Sequence, residues 1–387
     1  MRRADASERR RLNDTFAALC RIESPSGRER ACADWVVAEL AGMGIVAEED
    51  GAAAASGAQC GNLLARIAGP PGAPSLLLCA HLDTVALTAA VEPILVDAGW
   101  ENANDAILGA DNKAAVANLV ELARRCGAEP PPIGLELLFT VSEENALAGA
   151  KEVDVAALRS SFGYVFDHAS PIGEIVMASP THFRLEAEFH GVAVHAGIRP
   201  ENGRSAIAAA ADAVSSMRLG RLDDETTANV GQIAGGGPST NVVPDACRVE
   251  AEARSLDPAR VEAVVAEMVD HLQDGADAHG CDVDVVVDRR FTGYRPRGTA
   301  PMIVAARAAL TACGHVPTNI VTGGASDANA LEASGFRCAC LANGTERNHE
   351  PTERVTVAAL EGMFDVALAL VDAAARVDVA EPAMAGA

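Results

Sequence analysis

Ser75–Val85 reads SLLLCAHLDTV. Leu76–Ala80 is apolar and uncharged, a run short enough to predict a strand buried on both faces. His81 ends that run and Asp83 follows two places later. In open α/β sheets, ligands bind beyond the carboxyl ends of the strands. A histidine and an aspartate at such an end are therefore placed for chemistry. The surrounding sequence supports the same fold. NLLARIAG and LELLFTV predict further strands, and DNKAAVANLVELARRCG predicts a helix between buried strands. RERACADWVVAELAGMG predicts an amphipathic helix ended by glycine. GYVFD and GEIVMA add short strands. This alternation gives an α/β domain with a largely parallel sheet.

The pattern changes after Ser179. THFRLEAEFHG alternates with period two, followed by a helix over Arg204–Met217 and strands in ANVGQIAG and CRVEAEARSL. A long helix from Pro258 to about His279 and the strand DVDVVV complete a βαββαβ order, that of a compact α+β sandwich. From about Pro296 a helical pattern resumes, then NIVTGGASDANAL, the strand-like RCACLAN and a helix ending near Ala374. The expected domains are 1–179 and 296–387 for one α/β body, with 180–295 inserted. The tail VAEPAMAGA reads as disordered.

With 387 residues the chain is long enough for a large core. No apolar run approaches the roughly 20 residues that span a bilayer, and MRRADASERRRLNDTF lacks the apolar centre of a secretion signal. A cytoplasmic location is the expectation. A net charge of −23 repels phosphate backbones and anionic membranes, so neither nucleic acid nor membrane is an expected partner. The 10 cysteines show no paired framework and are expected to be reduced, with Cys338 and Cys340 in a buried strand rather than on a metal.

Further acids and a histidine fall where the pattern puts strand ends or helix starts: Asp111, Glu143, Glu144, Asp167 and His349. Each alone has an ordinary explanation. A lone strand-end histidine is usually a hydrogen-bonded surface residue, Asp111 could be a helix cap, and Glu143–Glu144 a solvated helix start. Their concentration on one edge of a sheet is what argues for a site. Two histidines with three or more carboxylates suit zinc, with cobalt or manganese as substitutes. Charge favours two ions. Asp111, Glu144 and Asp167 carry three negative charges, so one divalent ion leaves −1 and two leave +1. Asp111 is placed to bridge them. Asp83 is expected to orient His81 through its other ring nitrogen, and Glu143 to act as general base on the attacking water.

HLDTV, LGADNKA, SEEN, VFDH and NHEPTE resemble, in order and spacing, the metal-site motifs of the M20 metallopeptidases, nearest the tripeptide aminopeptidase (peptidase T-like) branch. The resemblance runs from about Leu12 to Val371. It implies a zinc-peptidase-like catalytic domain with an inserted α+β lid or dimerisation domain. It implies one zinc on His81, Asp111 and Asp167 and another on Asp111, Glu144 and His349, with Glu143 as base and Asp83 behind His81. It also implies a cis peptide at Asp111–Asn112. In the insert, GVAVHAG puts His195 where the family has an oxyanion-stabilising histidine that often reaches a neighbouring subunit's site; the usual HPG is HAG here. TTANVG puts Asn229 at a polar position, and EARSLD puts Arg254 where a planar fork could hold a substrate carboxylate. GGASDAN resembles the loop that contacts the substrate main chain through Gly323, Gly324 and Ser326. Ordinary roles compete here: His195 as a strand-turn residue, Arg254 paired with a neighbouring acid. His168 and His182 are extra histidines near the motifs.

The expected protein is a dizinc hydrolase of short peptides with a free N-terminus, a homodimer through the insert. A deacylase of N-acyl amino acids or a carboxypeptidase would use the same metal set. An inactive scaffold would lack a ligand or the base, and none is missing.

Overall fold

The strand read from SLLLCA is Ser75–His81, buried over six of its seven residues, in the middle of an eight-stranded sheet. The strand order is Ala47–Glu49, Leu63–Ile67, Gly134–Thr140, Ser75–His81, Ser160–His168, Cys338–Ala342, Glu174–Ala178, Thr318–Val321. The four central strands, Gly134–Thr140 to Cys338–Ala342, run parallel. Antiparallel neighbours flank them on both sides. His81 pairs with Thr140 and Ala342 with His168, so the carboxyl ends of the central strands finish along one edge. The computed structural model describes residues 3–377, and the tail VAEPAMAGA lies outside the described residues.

Helix Ala110–Ala128 packs on Ser75–His81 and against helices Ala6–Cys20 and Val357–Ala374. Leu76, Leu78 and Ala80 meet Leu119, Leu122, Phe16 and Phe364 in one apolar core. Each fully buried leucine or phenylalanine there contributes about 1.5–3 kcal/mol of transfer free energy, which fixes the strands whose ends carry the site. A second small sheet orders Thr345–Glu346, Arg354–Thr356, Gly99–Asn102 and Pro93–Val96. Its first two strands pair antiparallel and hold between them the loop that carries His349. Strands of two to four residues carry too little periodic signal to be read from sequence.

Contacts divide the chain into two compact units, one running to Ala178 and resuming at Arg295, the other Ser179–Tyr294. The second has a five-stranded antiparallel sheet ordered Gly220–Asp223, Thr226–Gly235, Ala246–Ser255, Thr181–His190, Asp282–Phe291. Helices Ala206–Ser216 and Pro258–Ala278 bury Leu185, Phe189, Val249 and Val264 with it. The βαββαβ order gains one strand, Gly220–Asp223. It is mostly exposed and without alternation, so the sequence did not mark it. A tight turn closes it, with the Glu225 amide donating to Asp223 Oδ1 at 3.0 Å. The unit's two ends are paired: Ser179 N donates to Tyr294 O at 3.0 Å, and Tyr294 N to Ser179 O at 3.2 Å.

Candidate metal centre and catalytic site

Side chains from three strand ends, one helix start and one loop meet in the first unit. His81 closes its strand, Asp167 comes near the end of Ser160–His168, and Glu143 and Glu144 follow Gly134–Thr140. Asp111 lies at the start of Ala110–Ala128, in non-helical backbone with φ −81° and ψ 106°. It is not the helix cap; Gly109 holds that position with φ 74°. The Asp111–Asn112 peptide is cis. His349 has a left-handed backbone with φ 68°, and Ser142, just before the acid pair, has φ 52°. Such conformations cost non-glycine residues of order 1–3 kcal/mol and gather where geometry is held for function.

The donor atoms form two triads that share Asp111. His81, Asp111 and Asp167 offer atoms within 4.8 Å of one another, and so do Asp111, Glu144 and His349. His81 Nε2 lies 3.2 Å from Asp111 Oδ1 and 3.4 Å from Asp167 Oδ1. His349 Nε2 lies 2.8 Å from Glu144 Oε1 and 3.4 Å from Asp111 Oδ2. Asp111 thus divides its two oxygens between the two histidines. Two imidazoles, two terminal carboxylates and one shared carboxylate are the donor types of a dinuclear site for a borderline cation. Glu143 joins a third group with His81 and Glu144. It is 8% exposed, so the reading of a solvated helix start fails.

The electrostatics follow from packing so many acids together. Burial raises Glu143 well above the usual carboxylate range, and the nearby Asp167 charge adds to this. Burial likewise raises Asp167, against the pull of His81. Asp111 goes the other way: hydrogen bonds from His349 and His81 overcome its burial. His349 is raised to about 10 by hydrogen bonds to Asp111 and Glu144. Burial pulls the His81 ring down, but Asp167, Asp111 and Asp83 raise it well above its ordinary value. The two histidines are proton sinks at which divalent ions would replace the protons.

Asp83 faces the other ring nitrogen of His81 with two of its oxygens. The His81 Nδ1 partner at 3.0 Å is the Asp83 main-chain carbonyl, with Oδ1 at 3.4 Å. The carboxylate accepts from the amides of Glu143 at 2.9 Å and Glu144 at 3.1 Å, and from Ser26 Oγ at 2.6 Å. It therefore positions the acid pair as well as the histidine. Glu29 does the same one residue earlier, accepting from Ser142 N at 3.1 Å and Ser142 Oγ at 3.0 Å.

Comparison with known proteins decides the family. A Bacillus subtilis protein called YqjE is 32% identical over 95% of this chain and 99% of its own length. A crystal structure of aminopeptidase PepT from Bacillus cereus superposes with TM-score 0.87 at 33% identity, covering 95% of this chain and 99% of that one. A tripeptidase from Staphylococcus aureus gives TM-score 0.90 at 32% identity with the same coverage. The peptidase dimerisation domain of the M20 type matches residues 180–279, and peptidase family M28 matches 62–167. The chain belongs to the M20 metallopeptidases, in their peptidase T-like branch. The M28 match takes in His81, Asp83, Asp111, Glu143, Glu144 and Asp167, and stops short of His349.

The other M20-derived positions are divided between the two units. His195 is exposed in the second unit, where its Nδ1 accepts from Gly197 N at 3.1 Å. A neutral ring then carries its proton on Nε2, as a donor. Asn229 is exposed on Thr226–Gly235. Arg254 forks onto Glu252, Nε to Oε1 at 3.2 Å and Nη2 to Oε2 at 3.1 Å, and lies 5.9 Å from the Phe291 ring centre. The acid pairing considered from sequence is therefore present. His182 Nε2 sits 3.1 Å from the same carboxylate, and the hydrogen bonds of His182 and then Arg254 hold Glu252 down to about 2. In the first unit, Ser326 caps helix Asp327–Ala333 in a capping box with Asn329 and is 3% exposed, so its hydroxyl is committed. Gly323 and Gly324 have neither a left-handed φ nor a crowded Cβ position. His168 is half-buried, and burial lowers its pKa.

Sequence reasoning missed the residues that surround the donors. Asn348 Nδ2 donates to Asp111 Oδ2 at 2.8 Å, and Asn112 Nδ2 to Asp167 Oδ1 at 3.3 Å. Asp327 is fully buried and bonded by Thr140 Oγ1 at 2.5 Å; burial raises it to about 6. Asn348 and Asn112 adjoin recognised donors, which is the signal that could have found them.

Proposed function

We propose that this M20 enzyme is a two-zinc aminopeptidase that removes the N-terminal residue of tripeptide-like substrates, with cobalt or manganese as substitute ions. The observation that carries the reading is Asp111 dividing its two oxygens between the His81–Asp167 and Glu144–His349 groups. His81, Asp111 and Asp167 hold one ion; Asp111, Glu144 and His349 hold the other. Bound there, divalent zinc supplies Lewis acidity that polarises the scissile carbonyl and acidifies the attacking water.

Glu143 takes the proton from that water as its oxygen bonds to the carbonyl carbon. It returns a proton to the nitrogen as the C–N bond breaks and the amine leaves. Burial holds the Glu143 carboxyl above the usual carboxylate range, which makes it a stronger proton acceptor than an exposed carboxylate. Asp83 keeps Glu143 in place through its amide. His195 donates through Nε2 to the tetrahedral oxyanion. In a homodimer formed through the second unit, it serves the neighbouring subunit's site. Asn229 adds a polar contact. Gly323 and Gly324 leave room for the substrate main chain, with Ser326 fixing the helix behind them. The name of the Staphylococcus aureus neighbour, a tripeptidase, supports the substrate length. Among the described residues, no helix is long and apolar enough to cross a membrane, and we place the enzyme in the cytoplasm.

The test is a free tripeptide beside its N-acetylated twin, given to zinc-loaded protein, with products identified by mass. Release of the first residue from the free peptide alone is expected. Cleavage of only the blocked peptide would replace the reading by a deacylase or carboxypeptidase. Arg254 is assigned to the substrate carboxylate, which displaces Glu252. Arg254→Lys keeps the charge but loses the fork. We expect KM for a free tripeptide to rise about tenfold, roughly 1.4 kcal/mol, with KM for its C-terminal amide unchanged. An equal rise for both would remove the carboxylate role.

A further inference from the structure

Asp111 can serve two ions only if the chain holds both of its carboxylate oxygens in fixed directions. Its own backbone is not helical. The amides at a helix start lack intrahelical partners, and the cap position is a glycine with no side chain to answer them. The answer comes from far along the chain. Glu353 is 1% exposed; its Oε2 accepts from Gly109 N at 2.7 Å and its Oε1 from Asp111 N at 2.8 Å. A local cap uses one oxygen from a neighbouring residue. Here both oxygens of one carboxylate hold the segment, from 244 and 242 residues away.

Glu353 lies four residues after His349, in the loop between Thr345–Glu346 and Arg354–Thr356. That loop is closed on itself, with Glu353 N donating to Glu350 O at 2.9 Å and Glu350 N to Arg347 O at 3.1 Å. The same loop sends Asn348 to Asp111 Oδ2. One side chain therefore ties the segment that offers Asp111 to the segment that offers His349. We propose that Glu353 is a positioning residue that sets the separation of Asp111 and His349, and through it the affinity of the site they share. This rests on the two-ion reading above. A buried carboxylate is costly to keep. A neutral residue of the same size would fill the space, but only a carboxylate accepts from both amides.

Glu353→Gln tests this, because its amide group can accept from one backbone N–H and must face the other with a second donor. The full-length chain is stripped with a chelator and titrated with Co²⁺ alone, following the visible absorbance and the heat of binding. Wild type is expected to take two ions per chain. In Glu353→Gln the affinity falls by about 10–100-fold, the range for residues that hold a metal ligand in place, and the visible band changes shape. The Gln penalty also shrinks in a His349→Ala background, since two residues acting on one geometry are not additive. Wild-type affinity and spectrum in Glu353→Gln, or a penalty unchanged without His349, would overturn the proposal. If the Gln chain does not fold, Glu353→Asp carries the same titration. It keeps the charge but is one methylene short, so positioning predicts weakened binding and wild-type affinity refutes it. A wild-type chain that binds fewer than two ions would instead sink the two-ion reading.

Discussion

Glu143→Ala leaves two ions per chain and an unchanged KM, and lowers kcat by about 10³-fold, within the range for loss of a general base. That factor corresponds to about 4 kcal/mol of activation free energy. The reasoning is geometric. Glu143 belongs to neither of the triads that share Asp111, yet sits with His81 and Glu144 in one cluster. Its main chain is fixed by Asp83 rather than by its own side chain, so truncation leaves the loop in place. The measurement is kcat and KM on a tripeptide together with metal content by elemental analysis. Turnover within tenfold of wild type would remove Glu143 as the base. Loss of an ion would make it a ligand.

Asp111→Ala has the larger effect on metal. Because each triad takes a different oxygen of Asp111, both ions weaken together, each by more than about 100-fold, since loss of a direct ligand exceeds loss of its support. His349→Ala, by contrast, weakens one ion and spares the other. Elemental analysis after dialysis gives fewer than one ion per chain for Asp111→Ala and about one for His349→Ala. A tightly held single ion in Asp111→Ala would contradict the shared role. The same linkage predicts that chelation lowers the melting temperature of the wild type. Ions that bind only the native site stabilise it by about 4 kcal/mol at a thousandfold excess over Kd. In chelated Asp111→Ala the melting temperature no longer responds to added zinc, and a full response would refute this.

The parts of the molecule legible in sequence are those with long periodic signals. Ser75–His81 and Gly134–Thr140 are apolar except at Ser75, Glu136 and their site ends His81 and Thr140. The helix Ala110–Ala128 was expected from its pattern. His81, Asp111, Glu144 and Asp167 were legible because each stands at or just beyond an end of such an element, whereas His349 lies in a loop between two very short strands and was legible through the motif NHEPTE. What escaped was the wiring. Asp83 was expected to orient His81; its carbonyl lies 3.0 Å and its Oδ1 3.4 Å from the ring nitrogen, and what was not foreseen is that the carboxylate also accepts from the Glu143 and Glu144 amides. Main-chain hydrogen bonds of this kind depend on loop geometry, which has no period. Glu353 stood inside the motif NHEPTE, but its partners are 242 and 244 residues away. Gly220–Asp223 escaped because an exposed four-residue strand looks like a loop.

The position of His349 along the chain has a consequence for how the enzyme is made. His81, Asp111, Glu144 and Asp167 all precede the inserted unit, while His349 follows it. A ribosome must synthesise the entire insert before the second triad can exist. The nascent chain therefore carries an incomplete centre until the insert and the His349 loop have been made.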